Sequence, residues 1–211
     1  MTDTRSGATS GTATTDCPPD KRVRADAQRS MDALLTAAAE VFASSGVDAP
    51  VREITAKAGV GTGTLYRHYP ERADLVAAVY RHEVDACADA ASALAEQHAP
   101  MEALIRWLER LQGFFATKRG LASALHSGDA AYDSLPGYFH SRFVPALGSL
   151  LDAAAEAGEI RADARPDELL TAVAQLSMTM HPAEDGYTER MIRLLVNGLR
   201  YGDGGHPGPR S

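Results

Sequence analysis

Apolar side chains recur along most of this chain at the spacing of an α-helix. The clearest run has apolar residues at i, i+3, i+4, i+7, i+10 and i+11, namely Met31, Leu34, Leu35, Ala38, Val41 and Phe42. That spacing places them on one face of a helix. Gly46 follows directly and is a typical residue just past a helix end. We therefore predict a helix that ends near Gly46.

The same periodicity predicts helices throughout the rest of the chain, and no segment shows a convincing strand pattern. The predicted helices cover about residues 48–58, 72–97, 101–117, 137–157, 167–181 and 186–200, with a short helix and a loop within 120–135. Pro145 lies inside one of these segments, so we expect a kink or a break there. The fold class predicted from the sequence is all-α.

Composition changes sharply at both ends of the chain. Residues 1–20 are rich in Ser, Thr, Gly and Ala without periodicity, which is typical of a disordered tail. Lys21, Arg22 and Arg24 follow as a small basic arm, and residues 202–211 form a second loose tail. Between the tails we divide the chain into a domain at 21–72 and a larger helical domain at 73–201.

Residues 51–69 predict two short helices joined by a tight turn. Gly59 suits the left-handed conformation that ends the first helix, and the second must stop before Pro70. The apolar positions that would pack the two helices together are Ile54, Ala58, Val60, Leu65 and Tyr69. Gly61 and Gly63 destabilise a helix by roughly 1 kcal/mol each relative to alanine, but without side chains they keep the start of the second helix narrow. A helix that approaches a DNA groove closely gains from this.

The outward residues of this helix–turn–helix suit a DNA duplex. Hydroxyl groups near the helix start can reach base edges, and guanidinium, phenol and imidazole groups can bind phosphates. The candidate DNA contacts are Arg52, Thr62, Thr64, Tyr66, Arg67, His68 and Arg72. For Arg72 we expect a phosphate clamp together with free backbone N–H groups at the next helix start. Tyr66 is also open to a packing role.

The charge distribution agrees with DNA binding at one end. Net charge is −7 overall, but residues 21–72 hold eight Lys/Arg against six Asp/Glu, whereas residues 73–211 hold 12 against 19. No apolar run is long enough for a membrane span, no secretory signal begins the chain, and its two cysteines are poorly placed for a disulfide. We expect a cytoplasmic protein without membrane association.

Other kinds of chemistry find little support in the sequence. His126, Asp129 and Asp133, with His140 or His181, could be read as a metal site, but a solvated loop explains them and they lack a tight ligand signature. No nucleophile elbow or phosphate-binding glycine loop is present. We expect neither an enzyme nor a metal or other cofactor.

The stretches from Ile54 to Val60 and from Gly63 to Leu75 resemble the DNA-binding domain of the TetR family of bacterial repressors. Leu65-Tyr66-Arg67, Thr117–Leu121 and Arg161-Ala162-Asp163 resemble the subgroup with an SbtR-like C-terminal domain. The strong part of the resemblance covers residues 27–75. Two positions depart from the family pattern: Thr55 stands where alanine is usual, and Gly61 stands where many members have a serine cap.

The resemblance implies an Ω-like homodimer whose two recognition helices enter successive major grooves of double-stranded DNA. It also implies a ligand pocket in the C-terminal domain and a four-helix bundle between subunits, formed by the last two long helices. Carried over by position, the family's DNA contacts fall on Arg52, Thr62, Thr64, Tyr66, His68 and Arg72.

Two sets of apolar residues fit these expectations. The stripes that would pair with their copies across a two-fold axis are Leu169, Leu170, Val173, Leu176, Met191, Leu194, Leu195 and Leu199. The alternative for these residues is burial within one subunit. Candidates for lining a cavity, each of which can equally be core, are Trp107, Phe114, Phe115, Tyr132, Tyr138, Phe139, Met178 and Met180.

Three functions remain in competition after this reading of the sequence. The first is a repressor released from a palindromic operator by a small, unidentified hydrophobic ligand. The second is a DNA-binding helical protein that responds to a protein partner or to no ligand. The third is a helical enzyme or binding protein that merely keeps a helix–turn–helix shape.

Overall fold

The computed structural model describes residues 19–119, 121–125, 127–178 and 186–200, and within these ranges the chain forms helices and no strand. The helices are α1 (Pro19–Ser45), α2 (Val51–Ala58), α3 (Thr62–His68), α4 (Arg72–Gln97), α5 (Pro100–Arg119), α6 (Ala122–Leu125), α7 (Leu135–Glu156), α8 (Pro166–Met178) and α9 (Tyr187–Arg200), with a 3₁₀ turn at Ala130–Tyr132. The all-α prediction is confirmed. None of the described helices combines the length and apolar character needed to cross a bilayer.

The predicted helix boundaries agree closely with the structure. The segment predicted at 72–97 is α4 itself, and Gly46 and Gly59 both take the left-handed conformation, with φ of 77° and 68°. The break predicted at Pro145 is wrong, because α7 runs through it without interruption. Pro145 and Ser141, whose carbonyl loses its helical donor, are both exposed, so water can take the place of the missing N–H.

The basic arm predicted at Lys21, Arg22 and Arg24 belongs to α1. Helix α1 begins at Pro19, so the backbone of these residues is helical. The side chains of Lys21, Arg22 and Arg24 lie outside the described part of the structure, as do residues 1–18 and 201–211, which include most of the tail predicted at 1–20 and all of the tail predicted at 202–211. The predicted disorder is wrong for Pro19 and Asp20, which are helical.

Helix α4 is the central element, since it packs against α1, α5 and α7. Its buried residues, among them Val76, Val79 and Val84, join one continuous core that extends from α1 to α9. Its first residue, Arg72, follows the end of α3 at His68 after a short turn. Any displacement of α4 therefore acts on both the small helices at one end and the helical body behind them.

Candidate nucleic-acid interface

Local backbone geometry sets the angle between α2 and α3. Gly59 ends α2 with φ 68° and ψ 26°, and the amide of Val60 donates to the carbonyl of Thr55 at 3.0 Å. Gly61 precedes α3 in an extended conformation, with φ −74° and ψ 142°. A side chain with a Cβ would be strained at Gly59, so glycine is needed there.

The inner face of α2 and α3 is apolar, as predicted. Ile54 and Leu65 are buried, and Ala58, Val60 and Tyr69 pack against the same core. Burial, aided by the Asp32 carboxylate, raises the pKa of the Tyr69 phenol, so Tyr69 stays neutral at physiological pH. These contacts fix which side of α3 faces outward.

The outer face carries most of the predicted DNA contacts. Arg52, Tyr66, Arg67 and His68 are exposed, with 52% of the Tyr66 surface accessible, and the candidates that are only half-buried are Thr62 and Thr64. The structure thus brings six of the seven predicted residues onto one end of the molecule. Tyr66 is therefore not a core residue, although the covered half of its surface still allows a packing role.

Gly63 serves no packing purpose within the subunit. A Cβ built there would meet no atom within 4 Å, and one at Gly61 would meet only the Thr64 hydroxyl at 4.0 Å. Neither glycine is therefore required by a neighbouring element. A helix start without side chains allows another surface to approach its backbone closely.

Arg72 departs from its predicted role. Its Nε donates to the carbonyl of Val47 at 2.7 Å, and its Nη2 donates to the same carbonyl and to that of Ala49 at 2.6 Å. The guanidinium also lies over the Phe42 ring, 5.0 Å from the centroid. The predicted phosphate clamp is therefore wrong for this conformation, since these donors already hold the loop between α1 and α2.

The surroundings of Arg72 are also unfavourable to a phosphate. Burial lowers the pKa of its guanidinium, and the Asp48 carboxylate counteracts that effect. Asp74 accepts a hydrogen bond from the backbone N–H of Glu71 at 3.2 Å, which satisfies one of the free amides expected at this helix start. Sequence spacing alone had shown only that Arg72 begins a helix, and not the direction of its side chain.

Two contacts that sequence analysis missed tie α2 in place. Lys57 pairs with Glu40 of α1 at 2.5 Å. The buried Thr55 hydroxyl lies 3.3 Å from the carbonyl of Arg52 and 3.4 Å from the hydroxyl of Thr62. The departure of Thr55 from the family pattern was the only sequence signal for the second contact.

Three of the predicted ligand-pocket residues, Trp107, Phe114 and Phe115, are buried in the core, and Phe114 also lines a cavity. Trp107 is fully buried, its ring meets that of Phe143 edge-on at 5.7 Å, and its indole N–H donates to the carbonyl of Cys87 at 2.9 Å. Phe114 and Phe115 contact each other at 5.5 Å. Aromatic rings on facing helices pack edge to face in this way, and a ligand pocket shared by these residues stays a prediction.

Tyr138 belongs to a polar cluster between α4 and α7. Its hydroxyl donates to Asp85 at 2.7 Å, Arg142 pairs with Asp85 at 2.8 Å and with Asp89 at 2.6 Å, and burial followed by the Asp85 hydrogen bond raises the pKa of Tyr138. The side chain of Met178 lies outside the described part of the structure, as do Met180 and His181. Asp129, considered as a metal ligand, instead accepts from the amide of Ala131 at 2.9 Å.

Two described cavities have linings that share only Phe114 with the predicted set. One of about 360 Å³ lies between α1, α4 and α5 and is lined by Thr36, His82, Glu83, Ala86, Cys87, Arg110, Gly113 and Phe114. Another of about 320 Å³ lies between α5 and α9 and is lined by Ile105, Glu109, Gln112, Glu189, Ile192, Arg193, Val196 and Asn197. The second has an apolar floor and a polar rim.

The predicted dimer stripes are divided between core and surface. Leu169, Leu170 and Val173 are buried within the subunit, where α8 packs against α5 and α7, so for these three the alternative of burial within one subunit holds. By contrast, 64% of the Leu194 side chain is exposed. The half-buried members of the stripes are Leu176, Met191, Leu195 and Leu199.

Family models match both parts of the chain. Residues 34–79 match the model described as "Bacterial regulatory proteins, tetR family". Residues 99–201 match the model described as "Transcriptional regulator SbtR-like, C-terminal domain". The first match contains the helix–turn–helix, and the second contains the helices from α5 to α9.

Solved structures and a curated relative agree with these matches. The TetR transcriptional regulator SCO0520 from Streptomyces coelicolor is 39% identical, with a TM-score of 0.70, covering 80% of this chain and 97% of that one. A TetR regulatory protein from Mycobacterium vanbaalenii is 34% identical, with a TM-score of 0.68, covering 85% and 99%. The HTH-type transcriptional repressor LfrR from Mycolicibacterium smegmatis is 38% identical over 79 residues, which is 37% of this chain and 41% of the repressor.

Proposed function

Because the chain belongs to the TetR family of DNA-binding transcriptional regulators, a class without enzymatic activity, we propose that it is a repressor of transcription in the cytoplasm. Residues 21–72 form its DNA-binding domain and residues 73–201 its regulatory and dimerisation domain. It binds a palindromic operator as a homodimer and leaves it when a small hydrophobic molecule binds.

The observation that carries this proposal is the outward face of α3. Polar side chains of four kinds lie beside two glycines that no intramolecular contact requires. Thr62 and Thr64 are placed near the helix start to reach base edges, and Tyr66, Arg67, His68 and Arg52 flank them toward the phosphates. The excess of positive charge in residues 21–72 supports the same direction of approach.

Dimerisation is supported by the exposed apolar surface of α9. A leucine side chain that is 64% exposed beside the half-buried Met191 is costly to leave in water, and a two-fold axis would cover Leu194 with its copy. Two recognition helices related by that axis read half-sites one helical turn apart, roughly 34–36 Å. A palindromic operator follows from the symmetry.

The cavity between α5 and α9 is our candidate for the effector. Its floor of Ile105, Ile192 and Val196 suits a small hydrophobic molecule, and α9 also bears the proposed dimer surface. An occupant that moves α9 against α5 would change the distance between the two recognition helices. Replacing the half-buried Ile105 with tryptophan should narrow this cavity, abolish release by the effector and leave DNA binding intact.

The dense packing of Trp107, Phe114 and Phe115 favours a second candidate, in which the regulator responds to a protein partner or to no ligand. Screening small aromatic compounds for release of bound DNA separates the two candidates. Release of DNA by any compound, at a concentration that does not lower the thermal unfolding midpoint of the protein, supports the first candidate. If no compound releases DNA from the wild-type protein or from the Ile105→Trp variant, the second candidate is supported.

Fluorescence anisotropy with duplexes tiled from the DNA upstream of its own gene tests DNA binding. We expect one duplex to bind at nanomolar to micromolar protein, with the Tyr66→Ala and Arg67→Ala variants each at least about tenfold weaker. Loss of a phosphate contact at Arg67 in both subunits of the dimer should also lower the slope of log affinity against log salt by about two. The control is Arg106→Ala, an exposed arginine on α5, which should change neither quantity.

Equal affinity of the Tyr66→Ala, Arg67→Ala and Arg106→Ala variants would contradict the proposed interface. In that case the outward face of α3 would not be the surface that meets DNA.

A further inference from the structure

The buried hydroxyl of Thr55, on α2, contacts Thr62, the first residue of α3. Thr55 is 4% exposed, and its Oγ1 lies between the carbonyl of Arg52, at 3.3 Å, and the hydroxyl of Thr62, at 3.4 Å. The proposed base contact Thr62 is half-buried, and its hydroxyl lies beside that of Thr55.

The oxygen positions alone allow either hydroxyl to donate, and proton counting fixes the polarity of this three-atom chain when both contacts are hydrogen bonds. A hydroxyl has one proton and two lone pairs, whereas a carbonyl oxygen can only accept. The contact with Arg52 is a hydrogen bond only if Thr55 donates its proton there. The contact with Thr62 is then a hydrogen bond only if the Thr62 hydroxyl donates to Thr55.

We infer that Thr55 is a positioning residue for specificity: it binds the proton of the Thr62 hydroxyl and leaves that hydroxyl able only to accept from DNA. This rests on the proposed function, because it assumes that α3 enters the major groove. In that groove the amino groups of adenine and cytosine are donors, whereas guanine and thymine present acceptor oxygens. Thr62 therefore selects an amino base and rejects a keto base at the position it faces.

The same polarity excludes a phosphate as the partner of Thr62. A phosphate oxygen only accepts, and the single proton of Thr62 is already directed at Thr55. Thr62 thus contributes to sequence preference and not to the general attraction for DNA. Alanine, the residue that the family resemblance gives at position 55, would leave the Thr62 hydroxyl free to donate or accept.

The test measures base preference in the full-length protein. A duplex selected by the wild-type protein from a randomised library is changed one base pair at a time, and each affinity is measured by anisotropy. For the wild type we expect one position per half-site at which a keto base weakens binding about tenfold, the usual scale of a single mismatch. The Thr62→Val variant identifies that position, because it loses the preference there.

Removing the Thr55 hydroxyl should relax the preference at that position alone. Thr55→Val keeps the shape of the side chain. In this variant we expect a keto base at that position to weaken binding by about threefold or less, with the preferences at the other positions unchanged. Thr55→Ser restores a hydroxyl and should restore the preference. The double variant with Thr62→Val should resemble Thr62→Val alone. If Thr55→Val does not fold, Thr55→Ala takes its place.

Two results would overturn the inference while leaving DNA binding intact. One is an unchanged preference at every position in Thr55→Val. The other is a uniform gain in affinity for all duplexes, which would mean that the freed hydroxyl binds phosphate. A wild-type protein that binds no duplex in the library would instead overturn the proposed function, and this inference with it.

Discussion

Replacing Arg72 with alanine should destabilise the protein by about 2–3 kcal/mol without removing a DNA contact. In the structure the Arg72 guanidinium donates to the carbonyls of Val47 and Ala49 and lies over the ring of Phe42. Those carbonyls belong to the loop between α1 and α2, and Val47 and Ala49 are both buried. Alanine would leave the two acceptors without these donors.

The magnitude follows from the contacts that are lost. A hydrogen bond to a charged donor contributes about 1.5–3 kcal/mol when buried. Because Arg72 is half-exposed, we take about 1 kcal/mol for each of its two carbonyl partners. The cation–π contact at 5.0 Å adds about 0.5–1 kcal/mol. Arg72→Lys keeps the charge but not the forked geometry, so its loss should be about half as large.

Urea unfolding followed by circular dichroism measures the free energy of unfolding of the three proteins. Anisotropy on the selected duplex, at several salt concentrations and under conditions where each variant is folded, measures affinity and salt slope. We expect the stability order wild type, Arg72→Lys, Arg72→Ala. We also expect an affinity within about threefold of wild type and an unchanged salt slope.

The opposite pattern would refute this reasoning. If the free energy of unfolding of Arg72→Ala is within about 0.5 kcal/mol of wild type, while its affinity falls at least tenfold and the salt slope of the dimer drops by about two, Arg72 binds phosphate. The expectation from sequence alone would then be right, and the inward guanidinium would be a conformation that DNA displaces.

Four further predictions concern the helical body. Burial raises the pKa of Glu83, so the charged form of this carboxyl is less favourable in the folded protein than the protonated form. Glu83→Gln should therefore be more stable than wild type at pH 7. Equal stability of the two proteins at pH 7 would contradict this. The difference should disappear as pH falls below the unfolded value of 4.5. Burial raises the pKa of the Cys87 thiol to about 12, so iodoacetamide at pH 8 should label Cys87 only after unfolding in urea, and labelling in the native state would count against its burial. Leu194→Lys should convert dimers to monomers in light scattering at unchanged helicity, and a persistent dimer would place the interface elsewhere. Tyr138→Phe removes the hydroxyl that donates to Asp85 and should lower the free energy of unfolding by about 1–2 kcal/mol in urea, whereas no loss would show that Arg142 alone holds the contact between α4 and α7.

Helix boundaries and the DNA-binding end were predictable because their signals are local. The segment 72–97 coincides with α4, and Gly59 takes the predicted left-handed conformation. Pro145 shows the limit of a local rule, because a proline on the exposed side of α7 costs one hydrogen bond that water can replace. The rule describes the backbone but not the solvent around it.

The errors at side chains have a common origin. Periodicity shows that Leu170 and Leu194 each lie on an apolar stripe, but only the neighbouring helices decide which is covered, and α5 and α7 cover Leu170. Trp107 and Phe115 were equally suited to a cavity wall or a core. Rings on facing helices pack against each other when the helices are close enough.

The amino-acid sequence by itself determined the helices, their ends and the position of the helix–turn–helix, because glycine, proline and apolar spacing act within a few residues of one another. Tertiary structure alone decided the partners of individual side chains. Arg72 reaches carbonyls 23 and 25 residues earlier in the chain, and the Thr55 hydroxyl meets Thr62 only because Gly59 turns one helix back across the other. Such contacts depend on distances between elements, and no local pattern of residues encodes a distance.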